Sequence, residues 1–111
     1  MAAPRSEALV EQRIMKLLRG TPRVTAIKAG RDGWPDRILC YRGVFIGLEI
    51  KSERQGHTTT ARQTQRLAQI GRAGGLVGVV RSTEDVLQLL AAVDAHLDAH
   101  GGFPWYSPPN A

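Results

Sequence analysis

The chain reads as one α/β domain whose sheet is covered by helices on both faces. Three observations predict it. Helical and strand periodicities follow one another in the order α-β-β-β-α-β-α. The central hairpin is apolar on both sides, with Leu39, Val44, Ile46, Leu48 and Ile50 on one and Ile38, Cys40 and Phe45 on the other. A sheet with one face in water would alternate apolar with polar instead. The length of 111 residues suffices for one core and not for two.

Ser6 to Arg19 is the first helix, with Val10, Ile14, Leu17 and Leu18 as its apolar stripe, and Gly20-Thr21-Pro22 stops it. Val24 to Lys28 is a short strand, and Ala29 to Gly33 is expected to be a flexible loop. Asp36 opens the next strand, which runs over Arg37 to Tyr41; Val44 to Ile50 returns antiparallel to it. A polar loop follows from Ser52 to Thr59. Thr60-Ala61-Arg62-Gln63 has the form of a capping box and opens a helix to about Ala73, with Leu67 and Ile70 as a thin apolar face. Gly74-Gly75 ends that helix, and Leu76 to Val80 is a buried strand. Ser82-Thr83-Glu84-Asp85 caps a third helix, which buries Val86, Leu89, Leu90, Val93 and Leu97. One domain thus spans residues 1–100. A tail of Gly, Pro and aromatic residues fills 101–111, and its Phe103, Trp105 and Tyr106 cover either the core or a subunit interface.

Fifteen Lys and Arg against ten Asp and Glu leave a net charge of +5, the electrostatic footprint of a nucleic-acid partner. No apolar run approaches the ~20 residues of a membrane helix, and the N-terminus lacks the apolar segment of a signal peptide. The lone Cys40 fits a reducing cytoplasm and is expected to be a small core residue.

The chemistry is concentrated in three residues. A strand among apolar neighbours rarely carries carboxylates and an ammonium unless they pair or bind a metal. Asp36 begins one strand of the hairpin, while Glu49 and Lys51 close the other. If Arg42-Gly43 is a two-residue loop, Tyr41 faces Val44 and Asp36 faces Glu49. Opposed Cβ atoms on one face lie ~4.5–5.5 Å apart, close enough for two carboxylates to share a cation. Lys51, two residues on, returns to the same face. A three-residue loop with Gly43 in a bulge would shift this register by one. Glu11 shares a helix face with Ile14, Met15 and Leu18, so either it needs a partner, which a metal or its waters would supply, or it is a solvated helix residue; Glu7, one turn earlier, is the fallback. Lys28, Arg31 and Arg37 flank Asp36, and Arg54 and His57 lie in the polar loop after Lys51. These five either meet DNA phosphates or are ordinary surface residues.

Gly33-Trp34-Pro35-Asp36-Arg37, Phe45-Ile46-Gly47-Leu48-Glu49-Ile50-Lys51, Thr60-Ala61-Arg62-Gln63, Ala73 to Ser82 and the N-terminal Glu7 to Glu11 occur in that order. Together they resemble the PD-(D/E)xK nuclease superfamily, and within it the virus-type replication-repair nuclease (VRR-NUC) branch, over about residues 6 to 91. A bare Asp…Glu-x-Lys is common by chance; five segments in sequence are not. The resemblance implies a restriction-endonuclease-like core with a mixed central sheet. It implies a Mg²⁺- or Mn²⁺-dependent endodeoxyribonuclease of a bacterial or phage-infected cell, in which Asp36, Glu49, the backbone carbonyl of Ile50 and Glu11 hold the metal. Lys51 would stabilise developing charge or orient the attacking water, and Gln63 would position that water or Lys51. The alternative for Gln63 is its place in the capping box, and Gln65 is a less suitable substitute. Small stand-alone members of the family imply a homodimer acting on branched DNA, Holliday junctions in particular. The chain departs from the family at Trp34, where a smaller residue is usual and an indole either stacks on a base or fills a gap. Competing readings are a nicking or restriction-type nuclease working with a partner, a non-catalytic DNA-binding subunit, and a structural ion pair between Lys51 and its carboxylates.

Overall fold

The computed structural model describes residues 5–53 and 59–100. Helix α1 (Glu7–Arg19) leads into β1 (Val24–Lys28), a 3-10 turn (Arg31–Gly33), β2 (Arg37–Tyr41), β3 (Val44–Ile50), α2 (Ala61–Arg72), β4 (Leu76–Val80) and α3 (Thr83–His100). The four strands lie in the order β1-β2-β3-β4. The first three are antiparallel and β4 is parallel to β3, so the sheet is mixed and α2 is the crossover that a parallel pair requires. Arg54, His57 and residues 101–111 lie outside the described residues.

Local chemistry sets the ends of the elements. The Ser6 hydroxyl accepts the Leu9 amide at 3.2 Å, and the Thr60 hydroxyl accepts the Gln63 amide at 3.1 Å. The Ser82 hydroxyl accepts the Asp85 amide at 3.1 Å, and the Asp85 carboxylate accepts the Arg81 amide at 2.8 Å. The three hydroxyl contacts each satisfy an amide that the first helical turn leaves without a partner, and the Asp85 contact ties down the residue before the Ser82 cap.

The hairpin turns on two residues, with Tyr41 paired to Val44. Arg42 and Gly43 have φ of 52° and 87°, both positive as a type I′ turn demands. Arginine there costs roughly 1 kcal/mol in backbone strain. Its guanidinium offsets this by bonding Asp94 at 2.6 Å and Asp98 at 3.2 Å on α3, and the Tyr41 hydroxyl reaches the same Asp94 at 2.9 Å. The turn is thereby fastened to the last helix.

The core lies on one side of the sheet. Val10, Ile14 and Leu18 of α1 and Val86, Leu90, Val93 and Leu97 of α3 pack on Leu39, Tyr41, Ile46, Leu48 and Ile50. On the opposite face α2 covers less, through Ile70 against Gly47 and Gly75. This partial cover corrects the expectation for Cys40, which is exposed. It shares its face with its partner Phe45, itself 44% exposed.

Candidate active site

The site lies on the face that α2 covers. The observed register pairs Arg37 with Leu48 and Ile38 with Gly47, and one further step sets Asp36 opposite Glu49. The two-residue loop therefore produces the juxtaposition, and the bulged alternative does not occur. Asp36 is gripped from both neighbouring strands. Its carbonyl accepts the Ala29 amide at 2.9 Å, and its Oδ2 accepts the Ile50 amide at 2.7 Å.

Gly47 is the reason Asp36 can sit there. A Cβ on Gly47 would lie 2.8 Å from Pro35 Cγ and 3.2 Å from Ile70 Cδ1, so the missing side chain is the space that Pro35 fills. Pro35 is fully buried and carries Asp36 directly behind it. Gly47→Ala is expected to push the rigid Pro35 ring, and Asp36 with it, away from β3. We expect a loss of roughly 1–3 kcal/mol in a denaturant melt, the usual cost of overpacking, with a larger loss in any activity of Asp36. An unchanged melt would mean the contact is slack.

Glu49 is only 1% exposed and Lys51 8%. Between them stands Gln63, oriented by its helix cap. Its Oε1 accepts the Thr60 amide at 2.8 Å and the Lys51 ammonium at 3.2 Å, and its Nε2 donates to Glu49 Oε1 at 3.0 Å. The reverse amide orientation would set NH₂ against two donors, so the network fixes the side chain. Gln63 thus closes the capping box and joins the charged residues at the same time. Lys51 approaches Glu49 Oε1 directly only to 3.7 Å.

Glu49 Oε2 is left buried with no hydrogen-bond partner. Burial, and then the neighbouring Asp36 carboxylate, push the Glu49 carboxyl up to about 8 from its ordinary 4.5; Lys51 pulls it down less than these raise it, and Glu7 adds to the rise. Two carboxylates against one ammonium leave an excess of negative charge in a dry place. Either a proton shared with Asp36 or a cation between the two carboxylates satisfies that oxygen.

No family model matches this sequence, and neither a curated protein nor a solved structure is significantly similar to it. What the site can do therefore follows from its own side chains. Oxygen donors without imidazole or thiolate suit a hard divalent cation. Among the described residues no group of three or more His, Cys, Asp or Glu side chains converges in a metal-holding arrangement. A cation here would draw its remaining ligands from backbone carbonyl, such as that of Ile50 at the end of β3, and from water, as Mg²⁺ commonly does.

The flanking residues divide differently from expectation. Glu11 accepts from Arg37 Nε at 2.9 Å, so a residue expected at the metal and one expected at DNA are bound to each other. On α1, the charge of Glu7 adds to the rise at Glu49. Lys28 and Arg31 are exposed. The Ala29–Gly33 segment, expected to be flexible, contains the 3-10 turn Arg31–Gly33. Arg66 Nε holds it by donating to the Asp32 carbonyl at 3.0 Å. Arg66 was not singled out from the sequence, although it sits one helical turn after Gln63. Its guanidinium lies 4.6 Å from the Trp34 ring centroid.

Proposed function

We propose that this chain is a Mg²⁺- or Mn²⁺-dependent DNA endonuclease of the PD-(D/E)xK type, of the VRR-NUC branch, acting as a homodimer on branched DNA such as Holliday junctions. The observation that carries the proposal is the buried, unpartnered Glu49 Oε2 in a carboxylate opposed to Asp36 and tied through Gln63 to Lys51. A purely structural ion pair accounts for it poorly. Such a pair would place the ammonium on the carboxylate, whereas the shorter contact of Lys51 is to Gln63, and one negative charge would remain uncompensated.

Asp36 and Glu49 would hold magnesium, which would supply a bound water of lowered pKa and polarise a phosphate oxygen. The residues of the chain do the rest. The Ile50 amide occupies one oxygen of Asp36 and leaves the other for the site. Gln63 occupies Oε1 of Glu49 and leaves Oε2. Lys51, held by Gln63, presents its ammonium to the charge that builds on the phosphate in the transition state. Glu7 adds negative charge that favours a cation, and the Glu11–Arg37 pair braces the strand that carries Asp36. The net charge of +5 draws the polyanion in.

The test is cleavage of labelled four-way junction, flap, nicked duplex, linear duplex and single-stranded DNA by the purified chain with Mg²⁺ or Mn²⁺. We expect metal-dependent cuts, most of them in the branched substrates, and paired symmetric cuts if two active sites act on one junction. Salt-sensitive junction binding with no cutting would replace the enzyme by a DNA-binding subunit.

A further inference from the structure

Beside the candidate active site, on the same face of the sheet, lies a groove of about 750 Å³ whose lining includes Trp34, Phe45, Gln69, Ile70 and Ala73. We infer that this groove holds unpaired bases of the DNA strand that runs into the site, with Trp34 as the principal stacking surface. The inference rests on the nuclease reading for its polymer and goes beyond it in naming what the substrate must offer: nucleotides free of their duplex partners.

Four observations converge. Trp34 is two residues before Asp36, a separation of at most ~7 Å along the chain, and is 36% exposed. Its indole is held in place before any ligand arrives. The Trp34 amide donates to the Arg31 carbonyl at 3.0 Å, and Arg66 lies over one face of the ring. That guanidinium is itself fixed by the Asp32 carbonyl and Gln69 Oε1, both at 3.0 Å. The second aromatic wall, Phe45, is 44% exposed and shares the face of Glu49, four residues further along β3. At a strand rise of ~3.4 Å per residue, ring and carboxylate are ~14 Å apart, a distance that a short stretch of single strand covers. Pro35 and Ile70 fill the space over Gly47 between them.

The charge around the groove selects the occupant. Its described lining contains no acidic side chain. Arg62, Arg66, Gln69 and Ala73 follow one another at i, i+4, i+7 and i+11 along one side of α2, so the arginines border the wall that Gln69 and Ala73 form. Aromatic surfaces edged by guanidinium groups are what a single strand needs, its bases stacking while its phosphates are neutralised. Among the described lining residues, Gln69 is the one with a polar side chain apart from the Trp34 indole N–H. Stacking here is therefore indifferent to base identity, and selection falls on strand separation.

The experiment uses full-length Trp105→Phe protein, in which Trp34 is the sole tryptophan, with EDTA present so that nothing is cut. Oligo-dT, an abasic oligomer of equal length and a blunt duplex are titrated against its fluorescence. Oligo-dT should quench Trp34 saturably and bind on the order of tenfold more tightly than the abasic oligomer for each stacked base. Phe45→Ala should shrink that ratio. In the cleavage assay, Trp34→Ala should raise KM for flaps and junctions while kcat is largely kept.

Equal affinity for abasic and normal strands, with unaltered emission, overturns the inference even if metal-dependent cutting persists. Quenching without any cutting leaves base binding standing and removes the nuclease. Two other occupants are tested alongside. A dimer that Phe45→Ala converts to monomer would assign the groove to a second copy. Deletion of residues 101–111 that alone opens Trp34 to iodide would assign it to the tail. Either result overturns the inference.

Discussion

Lys51→Ala is expected to cut DNA on the order of 10²–10³ times more slowly than the unaltered chain, the usual loss when one preorganised donor to a developing anion is removed. The fold should survive the change. Gln63 Oε1 keeps the Thr60 amide at 2.8 Å, so the α2 cap persists without the ammonium, and Nε2 still reaches Glu49 at 3.0 Å. The loss should therefore appear in kcat under saturating metal, with junction affinity nearly unchanged, because a side chain 8% exposed contributes little to the approach of the polymer. Lys51→Arg should recover only part of the rate. A guanidinium keeps the charge but is too broad for the space between Gln63 and Glu49. Cleavage by Lys51→Ala at the rate of the parent would remove Lys51 from the chemistry.

The hairpin explains how much of this site was legible in the sequence. Its register follows from side-chain alternation and a two-residue loop. Both are local, so the opposition of Asp36 and Glu49 could be counted out residue by residue. The Thr60–Gln63 capping box is local as well. It placed Gln63 at the start of a helix, and the structure adds that the same amide bridges Lys51 and Glu49. What failed was non-local. The partner of Glu11 depends on how α1 crosses the sheet, and helix phase alone did not show that Arg37 meets it. Cys40 has the pattern of a buried strand residue, yet whether α2 extends far enough to cover it is a matter of tertiary placement. The Ala29–Gly33 loop is rich in flexible residues, and what orders it is a side chain 34 positions away, Arg66. The parallel placement of β4 against β3 also lay beyond periodicity, which cannot give strand direction.

Glu49 should also make the stability of the metal-free protein depend on pH, in a direction opposite to that of most carboxylates. Its carboxyl has a pKa of about 8 in the fold against an ordinary 4.5, so the folded chain holds this proton more tightly than the unfolded chain. The contribution to stability is full below about pH 4.5, shrinks above it, and is lost as pH passes through 8. With EDTA present, the melting temperature should therefore fall steadily between pH 5 and 8.5. Magnesium should reverse the trend, because it needs both carboxylates ionised and satisfies the orphaned Oε2. At a metal concentration a hundred times its Kd, the gain is about 2.7 kcal/mol, roughly 10 °C for a domain of this size. Glu49→Gln separates the two causes. The amide keeps the volume and an acceptor for Gln63 Nε2, but carries no charge at any pH. Its melting temperature should be nearly flat from pH 5 to 8.5, above that of the parent at the alkaline end, and magnesium should hardly move it. If magnesium stabilises Glu49→Gln as much as the parent, the cation binds elsewhere, and the opposed carboxylates are not its site.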